Sequence, residues 1–172
     1  GYRGGLEGIL DSDVSYNHLY FRMEDEFDIG IRGTFTYTGE VGGFINNDQM
    51  YFMDYKHFLG NQTPFLSTDL TSRFRLLEYY RFSTANEYLQ FNSNFQWRKF
   101  LLTQIPLVRL TGLKENLILN YLTTSGIDHY VELGYGLDYI FRLFRLEAIT
   151  SWENGEFRDF GIRIGLITSI EF

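Results

Sequence analysis

Apolar and polar residues alternate strictly near the C-terminus of the chain. Between residues 160 and 172, every second position counted back from the last residue is apolar except for one threonine, and the positions between them are mostly polar or small. Such period-two alternation predicts a β-strand with two unlike faces. Soluble strands usually have about five or six residues, whereas a tilted strand needs about 9–11 to cross a bilayer. The stretch is long enough to cross, although a soluble sandwich strand can alternate in the same way.

Seven further stretches show the same alternation, some of them weakly, so the chain is predicted to contain eight strands. The pair Asn154-Gly155 is the strongest hairpin signal, because this dipeptide suits a two-residue turn. A very short turn at 28–30 joins two strands in the same manner. We expect every connection to be antiparallel, with three strands before a long irregular segment and five after it. The predicted strands centre on residues 2–10, 19–27, 31–41, 89–97, 117–121, 131–137, 144–152 and 157–172.

The polar sides of these strands favour a water-filled lumen over a soluble core. In the strand at 89–97 the polar side carries only amide side chains, which would be costly to bury without partners. The composition agrees, because aromatic residues make up 19% of the chain, as is typical of strands and of the aromatic girdles of membrane barrels. Barrels alternate lipid-facing and lumen-facing residues, so a mean hydropathy of −0.20 is compatible with them. The predicted fold is all-β, an antiparallel transmembrane β-barrel.

The irregular segment at 46–85 breaks this rhythm. It contains Pro64 and a Gly60-Asn61 turn signal but no clean alternation, and an irregular stretch of this length is usually functional. It is also rich in aromatic residues, which exposed loops rarely display without a surface to cover. We therefore expect the segment to fold against the inner wall of the barrel, in the lumen. A second stretch, 98–113, is not expected to form a central strand, because Pro106 has no backbone N–H to donate to a neighbouring strand.

Charge and residue types exclude several function classes. The formal net charge of −7 disfavours nucleic acid, which needs clustered cations. The chain has no cysteine, so disulfides and thiolate metal sites are excluded. Its three histidines, His18, His57 and His129, lack the spacing of a metal site, and neither a Ser-His-Asp order nor a phosphate-binding loop is present. We expect no cofactor, no metal and no catalytic residue, and hence a protein that is not an enzyme.

Several short stretches resemble a known family. The chain is similar to the Bacteroidota outer-membrane proteins known as carboxypeptidase-like regulatory domain proteins of unknown function. Their C-terminal barrel is similar to that of the BamA and surface-antigen superfamily. The resemblance covers essentially all of the chain but only the C-terminal half of a barrel of roughly sixteen strands, and it implies a location in the bacterial outer membrane. The stretches that carry it are 57–61, 79–84, 87–89, 105–107 and 161–165.

The resemblance also implies a site in the lumen. In the superfamily a long extracellular loop folds back into the barrel and carries an arginine in an Arg-Gly-aromatic tip, and Arg81 occupies that place by order along the chain. Phe82 stands where the superfamily has glycine, and Asn120 stands near its usual aspartate, so the superfamily's arginine-to-carboxylate lock is not transferred intact. The loop tip would consist of Tyr80, Phe82 and Ser83.

A guanidinium in the lumen needs carboxylate partners. Glu132 is the preferred partner of Arg81 and Glu147 the second, because both lie on inward faces of strands that follow the loop. Replacing Arg81 with alanine is then expected to loosen the loop. The same lumen acids, with Glu40, could in principle form a two-carboxylate hydrolase, but lumen acids in barrels usually pair with charges.

By resemblance, the chain would act in envelope protein assembly, insertion or transport, with the long loop closing or gating the lumen. Its partners would be outer-membrane lipid, the barrel-assembly machinery during insertion, and other envelope proteins. One alternative is a complete eight-stranded barrel with a structural or adhesive role, in which segment 46–85 would lie outside. Another is a lumenal acyl or lipid hydrolase, which would place a serine or histidine within hydrogen-bond reach of a lumen carboxylate.

The terminal strand resembles the C-terminal signal by which bacterial outer-membrane barrels are recognised for insertion. Deleting Phe172, or replacing it with aspartate, is expected to reduce the heat-modifiable, folded form in membranes, while changes at Thr168 matter far less. Gel mobility of unheated membrane samples measures this, and normal assembly of the Phe172 deletion would contradict it. The residues assigned to the signal are Phe160, Ile164, Leu166, Ile170 and Phe172.

Overall fold

A computed structural model describes residues 1–5, 14–60, 63–65 and 71–167 of the chain. Eight strands form one antiparallel sheet in chain order, each hydrogen-bonded to the next. The little helix in the described residues comprises two single-turn 3₁₀ segments, Phe52–Asp54 and Leu102–Gln104, and one turn of α-helix, α1 (Pro106–Arg109). The strands are β1 (Tyr2–Gly5), β2 (Ser15–Asp28), β3 (Gly33–Gln49), β4 (Tyr88–Trp97), β5 (Lys114–Thr124), β6 (Ile127–Ile140), β7 (Phe144–Glu153) and β8 (Glu156–Leu166).

The number and order of the strands follow the prediction, with three before the long irregular segment and five after it. The hairpin between β7 and β8 turns at Asn154 and Gly155, whose φ angles are 53° and 83°. Positive φ at both central residues is what the favoured two-residue turn requires. The Asn-Gly signal is therefore confirmed.

The sheet is open, with β1 and β8 as its two edges. A complete eight-stranded barrel would need β1 to pair with β8, and the described residues contain no such pairing. The described strands therefore do not form the closed small barrel of the alternative interpretation.

The two faces of the sheet have the reverse of the burial found in a soluble protein. We call the side that carries Asn92 and Glu132 the inner face and the side that carries Leu133 and Ile162 the outer face. Inner-face polar residues are buried and outer-face apolar residues are exposed, as the alternation predicted, whereas soluble proteins bury apolar residues first. The buried polar residues include Asn92, Asn94, Glu132, Glu147 and Arg163, and the exposed apolar residues include Leu133, Leu146, Ile162, Ile164 and Leu166.

One boundary differs from the prediction. Strand β3 continues to Gln49, so the irregular segment begins at residue 50 and not at 46. Its last residues pair with the start of β2 across a register shift near Asn17, and a shifted, polar strand end shows no clear alternation. The C-terminal residues 168–172 lie outside the described residues, so the assignments to Ile170 and Phe172 stay predictions.

The face assignment can be tested by spin labelling, because the chain has no native cysteine to compete for the label. A nitroxide at Leu133 or Ile162 is expected to be relaxed strongly by oxygen, which partitions into lipid. A nitroxide at Asn94, buried on the inner face, should be relaxed weakly. Greater oxygen accessibility at position 94 than at position 133 would overturn the register, because a slip of one residue exchanges the faces.

Candidate functional site between the plug segment and the inner face

The connection between β3 and β4 lies against the inner face of the sheet. We call its described residues, 50–60, 63–65 and 71–87, the plug segment. Its apolar side chains form a single buried cluster with three strand residues, and this cluster is the main hydrophobic core of the described chain. The plug contributes Phe58, Phe74, Leu77 and Phe82, and the strands contribute Tyr88, Leu122 and Tyr130.

Aromatic contacts fix the plug on β4 and β6. Phe74 and Phe82 pack against Tyr130, with ring centroids 5.9 and 5.2 Å apart, and Phe58 packs edge-on against Tyr88 at 5.5 Å. Full burial of one such side chain contributes about 1.5–3 kcal/mol. Three of the segment's aromatic residues therefore cover the inner face, whereas Tyr51, Phe52, Phe65, Tyr79 and Tyr80 are exposed.

Glu132 on β6 is the main polar contact between the sheet and the plug. Its carboxylate accepts hydrogen bonds from the backbone amides of Arg75, Leu76 and Leu77 at 2.7, 2.7 and 3.1 Å. On the sheet side, Asn120 Nδ2 and the Tyr130 hydroxyl donate to it, each at 2.8 Å. Because five donors surround one fully buried carboxylate, its charge is balanced by dipoles. This arrangement fixes the backbone of residues 75–77.

Beside Glu132, two buried arginines link the plug to β7 and β8. Arg75 Nε lies 3.3 Å from a Glu147 carboxylate oxygen, with both side chains almost fully buried. The contact is an ion pair without hydrogen-bond geometry. Arg163 on β8 donates to the backbone oxygens of Arg75 at 3.1 Å and Phe65 at 2.9 Å. The inner face therefore contacts the plug through side chains from three neighbouring strands.

Two glycines permit these close approaches. A Cβ at Gly161 on β8 would lie 2.6 Å from Leu76 Cδ2, and one at Gly60 would lie 2.2 Å from the Leu77 carbonyl oxygen. Both distances are shorter than real Cβ contacts. A side chain at Gly161 would force the Leu76 side chain to shift, whereas one at Gly60 would clash with the Leu77 backbone and separate two parts of the plug.

A second polar cluster joins the plug to β3. Lys56 forms a salt bridge with Glu40, and the Tyr88 hydroxyl donates to the same carboxylate at 2.7 Å. His18 Nε2 lies 3.1 Å from that hydroxyl. Glu40 is buried, so a buried charge on β3 also has its partner in the plug.

Arg81 lies at the rim of the sheet and not beside Glu132. It forms a two-pronged contact with Glu153 at 3.0 and 2.8 Å and a longer one with Glu78 at 3.2 Å. Arg158 binds the same two carboxylates. The prediction that Arg81 pairs with Glu132 or Glu147 is therefore wrong. Arg75 lies beside Glu147, and the backbone of residues 75–77 binds Glu132.

The predicted loop tip is divided between solvent and core. Tyr80 is exposed and has a positive φ of 63°, whereas Phe82 is buried against Tyr130. Ser83 Oγ lies 2.7 Å from His57 Nδ1. No carboxylate hydrogen-bonds to His57 or Ser83 among the described residues, so the arrangement expected for the hydrolase alternative is not formed there.

The plug also reaches the free edge of the sheet. The backbone N–H of Ile164 on β8 donates to the Pro64 carbonyl at 2.9 Å, and Phe65 forms an isolated parallel bridge with Ile164. Part of the edge of β8 is therefore already paired with the chain's own plug.

Sequence reasoning missed Arg75 and Lys56. The available signal was that each inward carboxylate on a strand needs a donor, and both residues lie in the segment already expected to cover those carboxylates. Order along the chain favoured Arg81 instead. The spacing within an irregular segment does not tell which arginine lies over which strand.

The site thus defines a class: an all-β protein with an open antiparallel sheet, a polar face covered by its own plug and an exposed apolar face. A family model for the C-terminal domain of a family of unknown function (DUF5686) matches residues 1–137. The chain belongs to this family. No curated protein and no solved structure matches it. Within the described residues, no group of His, Cys, Asp and Glu side chains could hold a metal ion, and no helix is long and apolar enough to cross a membrane.

Two arginine variants distinguish the anchors of the plug. Arg75→Ala would remove the buried ion pair with Glu147, which is expected to cost up to about 3–5 kcal/mol and to release the plug. Arg81→Ala removes a partly exposed rim contact and should cost roughly 0–1 kcal/mol. Limited proteolysis in detergent measures cleavage within residues 50–87, and circular dichroism should show unchanged strand content. Equal protection of the two variants would contradict the assignment of Arg75 as the anchor.

Proposed function

We propose that the chain is a segment of an outer-membrane β-barrel whose lumen is closed by the plug segment. The observation that carries this proposal is the reversed burial of the sheet, with apolar side chains exposed on the outer face and polar side chains buried on the inner face. Large exposed apolar surfaces mark a binding or membrane interface. A barrel in lipid alternates its residues in this way.

Strand length supports the same environment. Strands β2 to β8 have between 10 and 17 residues, and about 9–11 residues suffice for a tilted strand to cross the bilayer core. On the outer face, rings of β2, β3 and β4 form a row in which neighbouring centroids are 4.0–5.5 Å apart. Aromatic girdles of this kind lie at the two membrane interfaces of barrels. The row consists of Phe27, Phe35, Phe95 and Trp97.

The open sheet favours a larger barrel in which these eight strands are one part. Both edges would then pair with further strands, because unpaired backbone groups are too costly in lipid. The resemblance to the Bacteroidota outer-membrane proteins and to the BamA and surface-antigen superfamily supports this, since five strands follow the long loop in both.

In that setting the plug would close the lumen, and its release would open it. By the resemblance, the barrel acts in envelope protein assembly, insertion or transport, as a non-enzymatic component. Its partners would be outer-membrane lipid, the barrel-assembly machinery and other envelope proteins. The buried contacts at Glu132 and Glu147 would be the latch, while the rim contact of Arg81 would contribute less.

The proposal can be tested by introducing one charged residue on each face of the sheet. Ile162 is exposed on the outer face near the middle of β8, and an arginine at the bilayer midplane of a barrel costs about 2–4 kcal/mol. Ile162→Arg is therefore expected to lower the amount of folded, heat-modifiable protein in the outer-membrane fraction. Thr36→Arg is the matched control, since Thr36 lies on the inner face near Glu26. Density-gradient fractions of bacterial envelopes, probed by unheated gel mobility, measure both.

The outcome separates the environments of the two faces. Loss of the membrane form in Ile162→Arg with retention in Thr36→Arg is expected. If both variants reach the outer-membrane fraction equally, or if the parent chain is absent from that fraction, the outer face does not contact lipid and the proposal fails.

A further inference from the structure

The connections at one end of the sheet carry cations and no acids, while β2 ends beside the first of them with the exposed acids Asp25, Glu26 and Asp28. The three connections at this end, residues 29–32, 98–113 and 141–143, contain no aspartate or glutamate, in a chain whose net charge is −7. We call them the basic end. Their five cations are all exposed, and none forms an ion pair with a described residue. They are Arg32, Arg98, Lys99, Arg109 and Arg142.

The same connections expose large apolar side chains. Leu107 and Leu110, on and just after the single helical turn α1, are 77% and 82% exposed, and Ile31 and Phe141 in the two short turns are 88% and 87% exposed. Leucines and cations therefore share one surface. A surface with this composition is typical of segments that lie in a membrane interface.

A buried carboxylate holds this surface in place. Glu115 lies on the outer face of β5 but is fully buried, because residues 100–103 fold over it. The backbone amides of Phe100 and Leu102 donate to it at 2.9 and 2.7 Å, and the hydroxyls of Thr103 and Tyr135 donate as well. The connection at 98–113 is thus fixed against the sheet in an orientation that leaves its leucines pointing away from the core.

The opposite end of the sheet has the reverse character. It carries Glu78, Glu87, Glu153 and Glu156, and its arginines, Arg81 and Arg158, are engaged by Glu78 and Glu153. The cations of the basic end, in contrast, have no ion-pair partner among the described residues.

We propose that the basic end binds the headgroups of anionic glycerophospholipids, with its cations on the phosphates and its leucines among the upper acyl chains. This inference rests on the proposed function, because it needs the outer face to contact lipid. Charge complementarity favours this occupant, since each cation near an anionic membrane surface contributes to binding. Trp97, at the end of the aromatic row on the outer face, stacks on Phe100 within the connection, with centroids 5.5 Å apart. The apolar band and the basic end are thus one continuous surface.

The two tryptophans allow a direct measurement. Trp97 lies next to the basic end, and Trp152 lies near the opposite end, beside the β7–β8 turn. The full chain carrying Trp152→Phe is reconstituted in phosphatidylcholine vesicles that contain increasing fractions of either brominated phosphatidylglycerol or brominated phosphatidylcholine. Bromine quenches tryptophan at short range, so fluorescence reports which lipid lies next to Trp97. The chain carrying Trp97→Phe reports the opposite end in the same way.

Brominated phosphatidylglycerol is expected to quench Trp97 more strongly than brominated phosphatidylcholine at equal fractions, and Trp152 should not show this preference. In the Trp152→Phe background, R98Q/R109Q should reduce the preference by about fivefold for each cation removed. The control R3Q/R22Q removes the same charge from exposed positions outside the basic end and should leave the preference unchanged. High salt should weaken the preference, because exposed charges are screened.

Two kinds of failure can be told apart. If both brominated lipids quench Trp97 equally, or if R98Q/R109Q keeps the full preference, the chain lies in lipid but the headgroup assignment is wrong. A protein partner or a second copy would then be the occupant of the basic end. If neither brominated lipid quenches either tryptophan, the chain does not contact lipid, and the proposed function fails with the inference.

Discussion

The structure depends on the need of a buried polar face for hydrogen-bond partners. Glu132, Glu147 and Asn120 lie on the inner face with almost no exposure, and a buried carboxylate without donors would be strongly destabilising. For Glu132 the plug supplies three of the five donors, the backbone amides of residues 75–77. Glu132 therefore requires a particular backbone conformation of residues 75–77, and the aromatic cluster around Tyr130 stabilises that conformation.

The two faces of the sheet make opposite demands on their surroundings. Two buried acids of the inner face have their charge partners within the chain, because Lys56 and Arg75 pair with Glu40 and Glu147. The outer face has no such cover over most of its area, and the connection at 98–113 covers only one end of it. Stability of the whole therefore depends on what lies against the outer face, whereas the geometry of the site depends on contacts between the plug and the sheet.

The sequence predicted most of the sheet because a strand's two faces repeat with period two. Alternation located eight strands and their faces, and Asn154-Gly155 located a turn. It could not find the end of β3, where a register shift accompanies polar residues. Nor could it find Glu115, an acid on the apolar side whose donors come from an irregular connection. The site was harder still, because Arg73, Arg75 and Arg81 lie close together in the sequence, and only the folded path of the plug decides which one meets a strand carboxylate.

The contact between Pro64 and Ile164 has a consequence for the edge of the sheet. The Ile164 N–H is a single donor and can serve one acceptor well, so the plug and an incoming strand compete for it. Seating of the plug and lengthening of the sheet past β8 are mutually exclusive at that residue. An open sheet is prone to unwanted pairing along its edges, and here the chain shields one edge with its own loop. Any strand that joins β8 must therefore either leave Ile164 unpaired or displace the Pro64 contact, so this part of the plug limits the register in which the edge can be extended.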